Sequence, residues 1–436
     1  MNVRDSELVG GLLEREGYRP AEDIADADVV IINTCTVRVK AEEKAHSLIG
    51  RLRALKRARP GITVGVMGCL AQQWGEEFFS KFPHLDFVCG THALDVIPGM
   101  VLRLSHGERR LSETAFRQYP GSLSSWCVPR SPGPTAYVNI MQGCDNFCAY
   151  CIVPYVRGRE RSRPPGDVIE EVKALAAGGV KEVTLLGQNV NSYGKGLTEK
   201  TDFPDLLKRV SAVRGIERIR FTTSHPRDLS ESLMNAFVEI DALCEHIHLP
   251  FQAGSDSVLR RMRRGYTAEG YLRKIDELRR RVPDISLSTD IIVGFPGERD
   301  EDFEKTIDLM GKVRFDNSFS FKYSDRSGTV AASFGDKVDE AVKSERLVFL
   351  QSLQRKHTLE KNRQREGMIE EVLVEGPSKG GSEDVTGRTR GNRIVNFRGD
   401  DCLRGKTVLV NITRGYAHSL RGEMVQRGEI PLCLSK

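Results

Sequence analysis

Apolar runs and stretches of helical period alternate along the first 126 residues. Asp26 to Asn33 (DADVVIIN) and Ile62 to Met67 (ITVGVM) read as buried strands, each followed by a helical pattern, and Ser6 to Gly17 reads as a helix. This predicts a doubly wound α/β domain over residues 1–126. Such a domain normally opens on a strand, whereas this chain opens on a helix, so a first strand is expected before Met1. Ser122 to Pro134 is rich in Ser, Pro and Gly and reads as a linker, with residues 127–134 between the domains.

From 135 to 366 strand and helix alternate six times. The strands are expected at Ala136 to Met141, Glu182 to Leu186, Arg218 to Thr223, His246 to Leu249, Ser286 to Val293 and Asn317 to Tyr323. Six βα units imply a partial (β/α)6 barrel, whose functional residues gather where strands pass into βα loops. Polar and glycine residues do sit there. Gly143 and a cysteine cluster follow the first strand, Gly187-Gln188-Asn189-Val190-Asn191 the second, and Ser224-His225-Pro226 the third; Gln252 to Ser255, Gly294 to Glu298 and Ser324-Asp325 complete the rim. From 367 to 436, strand-like runs at Glu371 to Glu375, Ile394 to Phe397, Thr407 to Thr413 and Ser419 to Val425 predict a small all-β barrel.

A length of 436 residues suits two or three domains. With 65 basic against 60 acidic residues the net charge is only +5, so a nucleic-acid site would have to come from local clusters. Arg157, Arg159, Arg161 and Arg163 form one, Arg260, Arg261, Arg263 and Arg264 a second, and Arg388, Arg390, Arg393 and Arg398 a third; each could meet RNA phosphate or be ordinary solvated surface. Phe397, the lone aromatic near the third, reads as core. No apolar run approaches the roughly 20 residues of a membrane span, and no signal peptide opens the chain, so a cytoplasmic protein is expected.

The ten cysteines are too dispersed for a disulfide scaffold, yet three crowd into Cys144-Asp145-Asn146-Phe147-Cys148-Ala149-Tyr150-Cys151. Three thiolates on a βα loop suit a 4Fe-4S cube with one iron left open, which the amino and carboxylate groups of S-adenosylmethionine can chelate. Competing readings are a zinc site completed by a histidine, or thiols that pack without metal.

This CxxxCxxC pattern, with Tyr150 before its last cysteine, resembles the radical S-adenosylmethionine enzymes. The strings Asn139 to Gly158, Asn33-Thr34-Cys35, Met67-Gly68-Cys69, Leu186 to Asn191, Thr222 to Pro226 and Ile292 to Glu298 extend the resemblance to the methylthiotransferases over nearly the whole chain. It implies an N-terminal methylthiotransferase domain, a radical core and a C-terminal RNA-binding TRAM barrel. It also implies two 4Fe-4S clusters, with Cys144, Cys148 and Cys151 holding one and Cys35 and Cys69 two irons of the other. The family's third N-terminal cysteine would fall before Met1; if no strand and cysteine are encoded upstream, the second cluster is expected to be labile or absent and the chain to hold about four irons instead of eight. Cys89, at the end of an apolar run, reads as core, and Cys127, Cys244, Cys402 and Cys433 as incidental.

Tyr150, Gln188, Asn189, Asn191, Ser224, Gly294 and Glu298 are the expected contacts to S-adenosylmethionine; Asn after a strand can also be a plain turn residue, and His225 a cap. The implied reaction adds a methylthio group to C2 of N6-isopentenyladenosine beside a tRNA anticodon, in an unpaired loop where the base can be unstacked. The partners are then tRNA and an electron donor such as flavodoxin or ferredoxin, and the enzyme a monomer. Sister families act on threonylcarbamoyl-adenosine or a ribosomal protein, and a non-catalytic RNA-binding protein with a structural metal is the remaining alternative.

Overall fold

Four short strands, β1 (Val29–Thr34), β2 (Thr63–Gly68), β3 (Phe87–Cys89) and β4 (Leu111–Glu113), form a parallel sheet in that order. The computed structural model describes residues 1–36, 39–117, 133–381 and 383–425. The expected linker, all but its last two residues, lies outside them, as do Cys127 and Cys433. Alternation along β2 divides the core in two. Val64 and Val66 turn to α2 (Val39–Ala58), α3 (Cys69–Trp74) and α4 (Glu77–Lys81), where Ile49, Leu52, Leu70 and Phe78 close a cluster. Met67 on the other face joins Phe87 and Cys89 against α1 (Asn2–Arg15) and α5 (Ile97–Ser105), through Leu8, Val9, Ile97 and Met100. Helices on both faces make the domain doubly wound. A Cβ on Gly65 would lie 2.1 Å from the Phe87 ring, so the glycine gives that ring its place.

The central segment follows. β5 (Thr135–Asn139) leads into the two-residue strands β6 (Met141–Gln142) and β7 (Arg161–Ser162), which pair antiparallel and bracket the cysteine loop and α6 (Val153–Arg157). After α7 (Pro165–Ala177) come β8 (Glu182–Leu186), α8 (Phe203–Ser211), β9 (Arg218–Phe221), α9 (Glu231–Glu239) and β10 (His246–His248). Then follow α10 (Asp256–Arg261), α11 (Ala268–Arg281), β11 (Ser286–Val293), α12 (Asp300–Val313), β12 (Asn317–Lys322) and α13 (Glu340–Arg363). The sheets run β5-β8-β9 and β10-β11-β12, joined by a parallel bridge between Ile219 and Leu243. All six expected strands are present.

The C-terminal strands β13 (Ile369–Pro377), β14 (Asp384–Thr389), β15 (Ile394–Arg398), β16 (Thr407–Gly415) and β17 (Leu420–Met424) close a barrel ordered β13-β14-β15-β17-β16. Val372, Val374, Val385, Val395, Phe397, Val410, Ile412 and Leu420 fill it, so Phe397 is core.

The chain divides into two compact units. The described residues of Met1–Ser131, Asn139–Glu171 and Ser324–Ala332 make the first, which groups the cysteine loop with the N-terminal sheet. The second takes Pro132–Val138, Val172–Tyr323 and Ser333–Lys436, joining most core strands to the barrel. Within this second unit the turn between β14 and β15 is stitched to the strand starts. Arg218 donates to the carbonyl of Arg388 at 2.7 Å, and Arg220 to those of Thr389 and Arg390 at 2.7 and 2.8 Å. Arg390 in return grips Glu245 with Nε and Nη2, and Arg393 pairs with Asp316.

Candidate active site

The cysteine loop is built on a constrained neck. Gly143 has φ +79°, and a Cβ there would meet the Arg159 carbonyl oxygen at 2.0 Å, so two backbone strands can cross only at glycine. The Cys144 amide then donates to Gly158 O at 3.2 Å, Cys151 N to Cys148 O at 2.9 Å, and Ala331 N to Ala149 O at 2.8 Å. Cys148 is buried, while Cys144, Tyr150 and Cys151 are half-buried. Burial pushes the Cys144 thiol up to about 11, with Cys148 close enough to add to the rise, so binding a metal here must displace protons. Among the described residues there is no disulfide, and no three His, Cys, Asp or Glu side chains stand where one metal ion could take them all. Three thiols on one loop are the donor set of an iron-sulfur cluster with one iron left open.

Cys35 follows β1 and Cys69 opens α3 after β2, at the carboxyl ends where open α/β sheets place ligands. Burial pushes the Cys69 thiol up, Arg157 pulls it down, and Cys35 is near enough to add to the rise. Cys69 also packs on Ile152 and Val156, immediately after Cys151. Arg157 fastens this contact: its Nε donates to Cys69 Sγ at 3.4 Å, and its Nη2 to Asp5 Oδ2 at 2.7 Å and Asn2 Oδ1 at 3.1 Å. The two cysteine sites thus meet through α6 within one unit. Cys89, by contrast, lies in the core with its Sγ donating to Ala93 O at 3.1 Å, and burial pushes its thiol far up.

The first basic cluster divides accordingly. Arg157 is 4% exposed, and Arg163, at 3%, donates to Glu171 and to the Asn139 carbonyl, both at 2.6 Å, so these two are internal ties and not phosphate contacts. Arg159 stays exposed over the Phe147 ring. In the second cluster Arg264 is buried and donates to Pro250 O, and Arg261 holds both oxygens of Asp336 at 2.8 Å. In the third, Arg388, Arg390 and Arg393 pair with Glu375, Glu245 and Asp316, which leaves Arg398 at the surface beside Glu383.

At the strand ends of the second unit, polar side chains are buried with hydrogen-bonding capacity to spare. Asn189 Nδ2 donates to Asp228 at 2.7 Å, but Asn189 Oδ1, both amide atoms of Asn191, Ser224 Oγ, His225 Nε2 and Gln252 Oε1 have no partner among the described residues. Each such atom carries a desolvation cost that a polar ligand would relieve. Thr223 and Gln252 also adopt φ +68° and +66°, strained values for side chains other than glycine. Gln188 stands half-buried beside them. Gly294 has φ +69° and lies against Lys343, while Glu298 accepts from Gly294 N at 2.8 Å and from Arg346 at 2.7 Å. Glu298 thus holds the turn together.

Models of known families match three segments: the Radical SAM superfamily over residues 138–310, the uncharacterized protein family UPF0004 over 1–90, and the TRAM domain over 363–425. A tRNA-2-methylthio-N(6)-dimethylallyladenosine synthase of Syntrophus aciditrophicus (strain SB) is 53% identical over 98% of this chain and 92% of its own. The enzyme of that name from Syntrophobacter fumaroxidans is 51% identical over 98% and 94%. The chain belongs to this family of methylthiotransferases. In fold it is similar to the radical S-adenosylmethionine methyltransferase TsrM from Kitasatospora setae, at TM-score 0.52 and 16% identity over 74% of this chain and 68% of that one. Membership in the radical S-adenosylmethionine methylthiotransferases implies a 4Fe-4S cluster and S-adenosylmethionine. No helix among the described residues is long and apolar enough to cross a membrane.

Sequence reasoning missed two features of this methylthiotransferase. The partners of Arg157 come from Asn2, Asp5 and Cys69, too far apart in the chain for any spacing rule. His248 and Asp290, paired at 3.3 Å on β10 and β11, did leave a signal: polar side chains inside runs that a buried parallel strand fills with apolar ones.

Proposed function

We propose that the chain is a cytoplasmic, monomeric enzyme that places a methylthio group on C2 of N6-isopentenyladenosine beside the anticodon of tRNA. The single observation that carries this reading is 53% identity, over 98% of the chain, to a protein named for that product. Cys144, Cys148 and Cys151 would hold the cluster that binds S-adenosylmethionine, and Cys35 and Cys69 would serve a second 4Fe-4S cluster. When bound, these groups supply the electron that cleaves S-adenosylmethionine to a 5′-deoxyadenosyl radical, and the sulfur and methyl that are transferred.

The chain's own residues orient and shield. Gly143 and the Cys144 amide fix the loop from which the three thiols project. Asn189, Asn191 and Ser224 offer the open hydrogen-bonding atoms a methionine or ribose group needs, with Gln188 and Tyr150 as further contacts. Gly294, its turn held by Glu298, brings backbone to the same ligand. Arg157 ties Cys69 to the helix after Cys151, so one cation orders both cysteine sites. A low-potential donor such as flavodoxin or ferredoxin delivers the electron.

Anaerobically reconstituted enzyme, given S-adenosylmethionine, a reductant and tRNA bearing N6-isopentenyladenosine, should yield the 2-methylthio nucleoside on digestion. Formation of 5′-deoxyadenosine without that nucleoside, or methylthiolation of threonylcarbamoyl-adenosine instead, overturns the reading.

A further inference from the structure

The sheet β10-β11-β12 carries a polar set that none of the roles above uses. Along β12, Ser320 and Lys322 meet α13: Gln351 donates to Ser320 Oγ at 3.3 Å, and Lys322 pairs with Glu340. Phe319, one residue before Ser320, lies on the opposite face of the strand and points away from the helices. Register places Asp290 opposite Phe319, and Ser288 opposite both Asn317 and His248, so these side chains share the inner face. In a full barrel that layer would be filled with branched apolar side chains. Here Phe319 is 45% exposed and the Asp290 side chain 32%.

A relay fixes the acid. His246 Nε2 and His248 Nδ1 each lie 3.0 Å from Ser288 Oγ, and His248 Nε2 lies 3.3 Å from Asp290 Oδ2. His246 is buried, and two neutral imidazoles satisfy the chain: His246 Nε2–H donates to Ser288 Oγ, whose hydroxyl donates to His248 Nδ1, whose Nε2–H donates to Asp290. One carboxylate oxygen is then occupied. Oδ1 has no partner among the described residues, and the partly exposed carboxylate lies by the His248 and Phe319 rings, whose centroids are 6.0 Å apart.

An anionic acceptor next to an exposed aromatic face is the complement of a planar base with an N–H on its edge. We infer that Asp290, oriented by His248, accepts the N6–H of the target N6-alkyl adenine while Phe319 takes the base and its alkenyl group by stacking. This rests on the function proposed above and adds the seat of the base. It also gives a reason for one alkyl group at N6: a second would remove the proton Asp290 accepts.

The test uses reconstituted full-length enzyme and anticodon stem-loops carrying N6-isopentenyladenosine, its N6-methyl-N6-isopentenyl counterpart, or adenosine. Wild type should bind the first about 10-fold tighter than the second, the range of a hydrogen bond to a charged acceptor. Asp290→Ala should erase that preference. Phe319→Ala should weaken both isopentenyl RNAs about 10-fold, and Phe319→Tyr should restore them. Iron content and melting temperature report on folding; where Asp290→Ala melts early, the isosteric Asp290→Asn should still narrow the preference. A preference kept in both Asp290 variants, or a change confined to S-adenosylmethionine affinity, overturns the assignment alone. If wild type makes no methylthio nucleoside and does not distinguish isopentenyl from plain adenosine, both the assignment and the functional reading fall.

Discussion

Arg157 is a buried charge, and its value lies in what it leaves behind if removed. Asp5 is 5% exposed and depends on it, so Arg157→Ala should cost about 3–5 kcal/mol, the range for breaking a buried ion pair. Arg157→Lys should recover only part, because an ammonium cannot span Cys69 and Asp5 as the fork does. Denaturant unfolding of the three proteins measures this. Two histidines set the response to acid. Burial first, then the cations Arg264, Arg227 and Lys274, hold His225 down to about 2; burial, then Arg220, holds His246 to about 3. Both folded values lie under the unfolded 6.5, so the unfolded chain takes up protons first as pH falls. The contribution is whole above pH 6.5 and drains away below it, about 2 kcal/mol for each histidine by about pH 5. His225→Gln should shrink the stability difference between neutral and pH 5 by that amount, and an unchanged difference would contradict the assignment.

At the scale of elements, the neck of the cysteine loop is the most exacting piece of backbone. Gly143→Ala would press a methyl against the Arg159 carbonyl from a left-handed conformation, so the loop must open and its thiols spread. Iron bound per chain and the absorbance of the reconstituted cluster should fall well below wild type while the circular dichroism of the sheets persists. Legibility from sequence followed the same physics. Glu182–Leu186 and Ser286–Val293 were read to the residue because apolar runs bounded by glycine and turn signals mark them. The strand Asp384–Thr389 was not read: its inward positions are Val385, Gly387 and Thr389, and glycine serves there because a Cβ would lie 2.4 Å from Leu373 O. The three-residue strands Phe87–Cys89 and Leu111–Glu113 are too short for any period to register. The cysteine trio was legible because its ligands are local. The internal ties of Arg157 and Arg163 were not, since a basic run looks alike whether its guanidinium groups meet solvent or buried acids.

Across the whole molecule, charge that resembled an RNA surface is largely spent on assembly. Arg390→Ala and Arg393→Ala should lower stability and leave the salt dependence of tRNA binding as it was. Arg398, at 80% side-chain exposure, should reduce the slope of log affinity against log salt by about 1 when replaced by Ala. Binding isotherms at several salt concentrations separate the two cases. The turn between β14 and β15 also sets a clock. Arg218 and Arg220 leave the ribosome some 170 residues before the carbonyls that receive them, roughly 10 to 30 s at ordinary rates of synthesis. Through that interval Arg220 has its core partner Glu182, but Arg218 lacks both its carbonyl and its carboxylate Glu371, and a nascent chain that stalls in it stays open to chaperones and proteases. Synthesis of the turn between β14 and β15 is what supplies the carbonyls on which the arginines of β9 close.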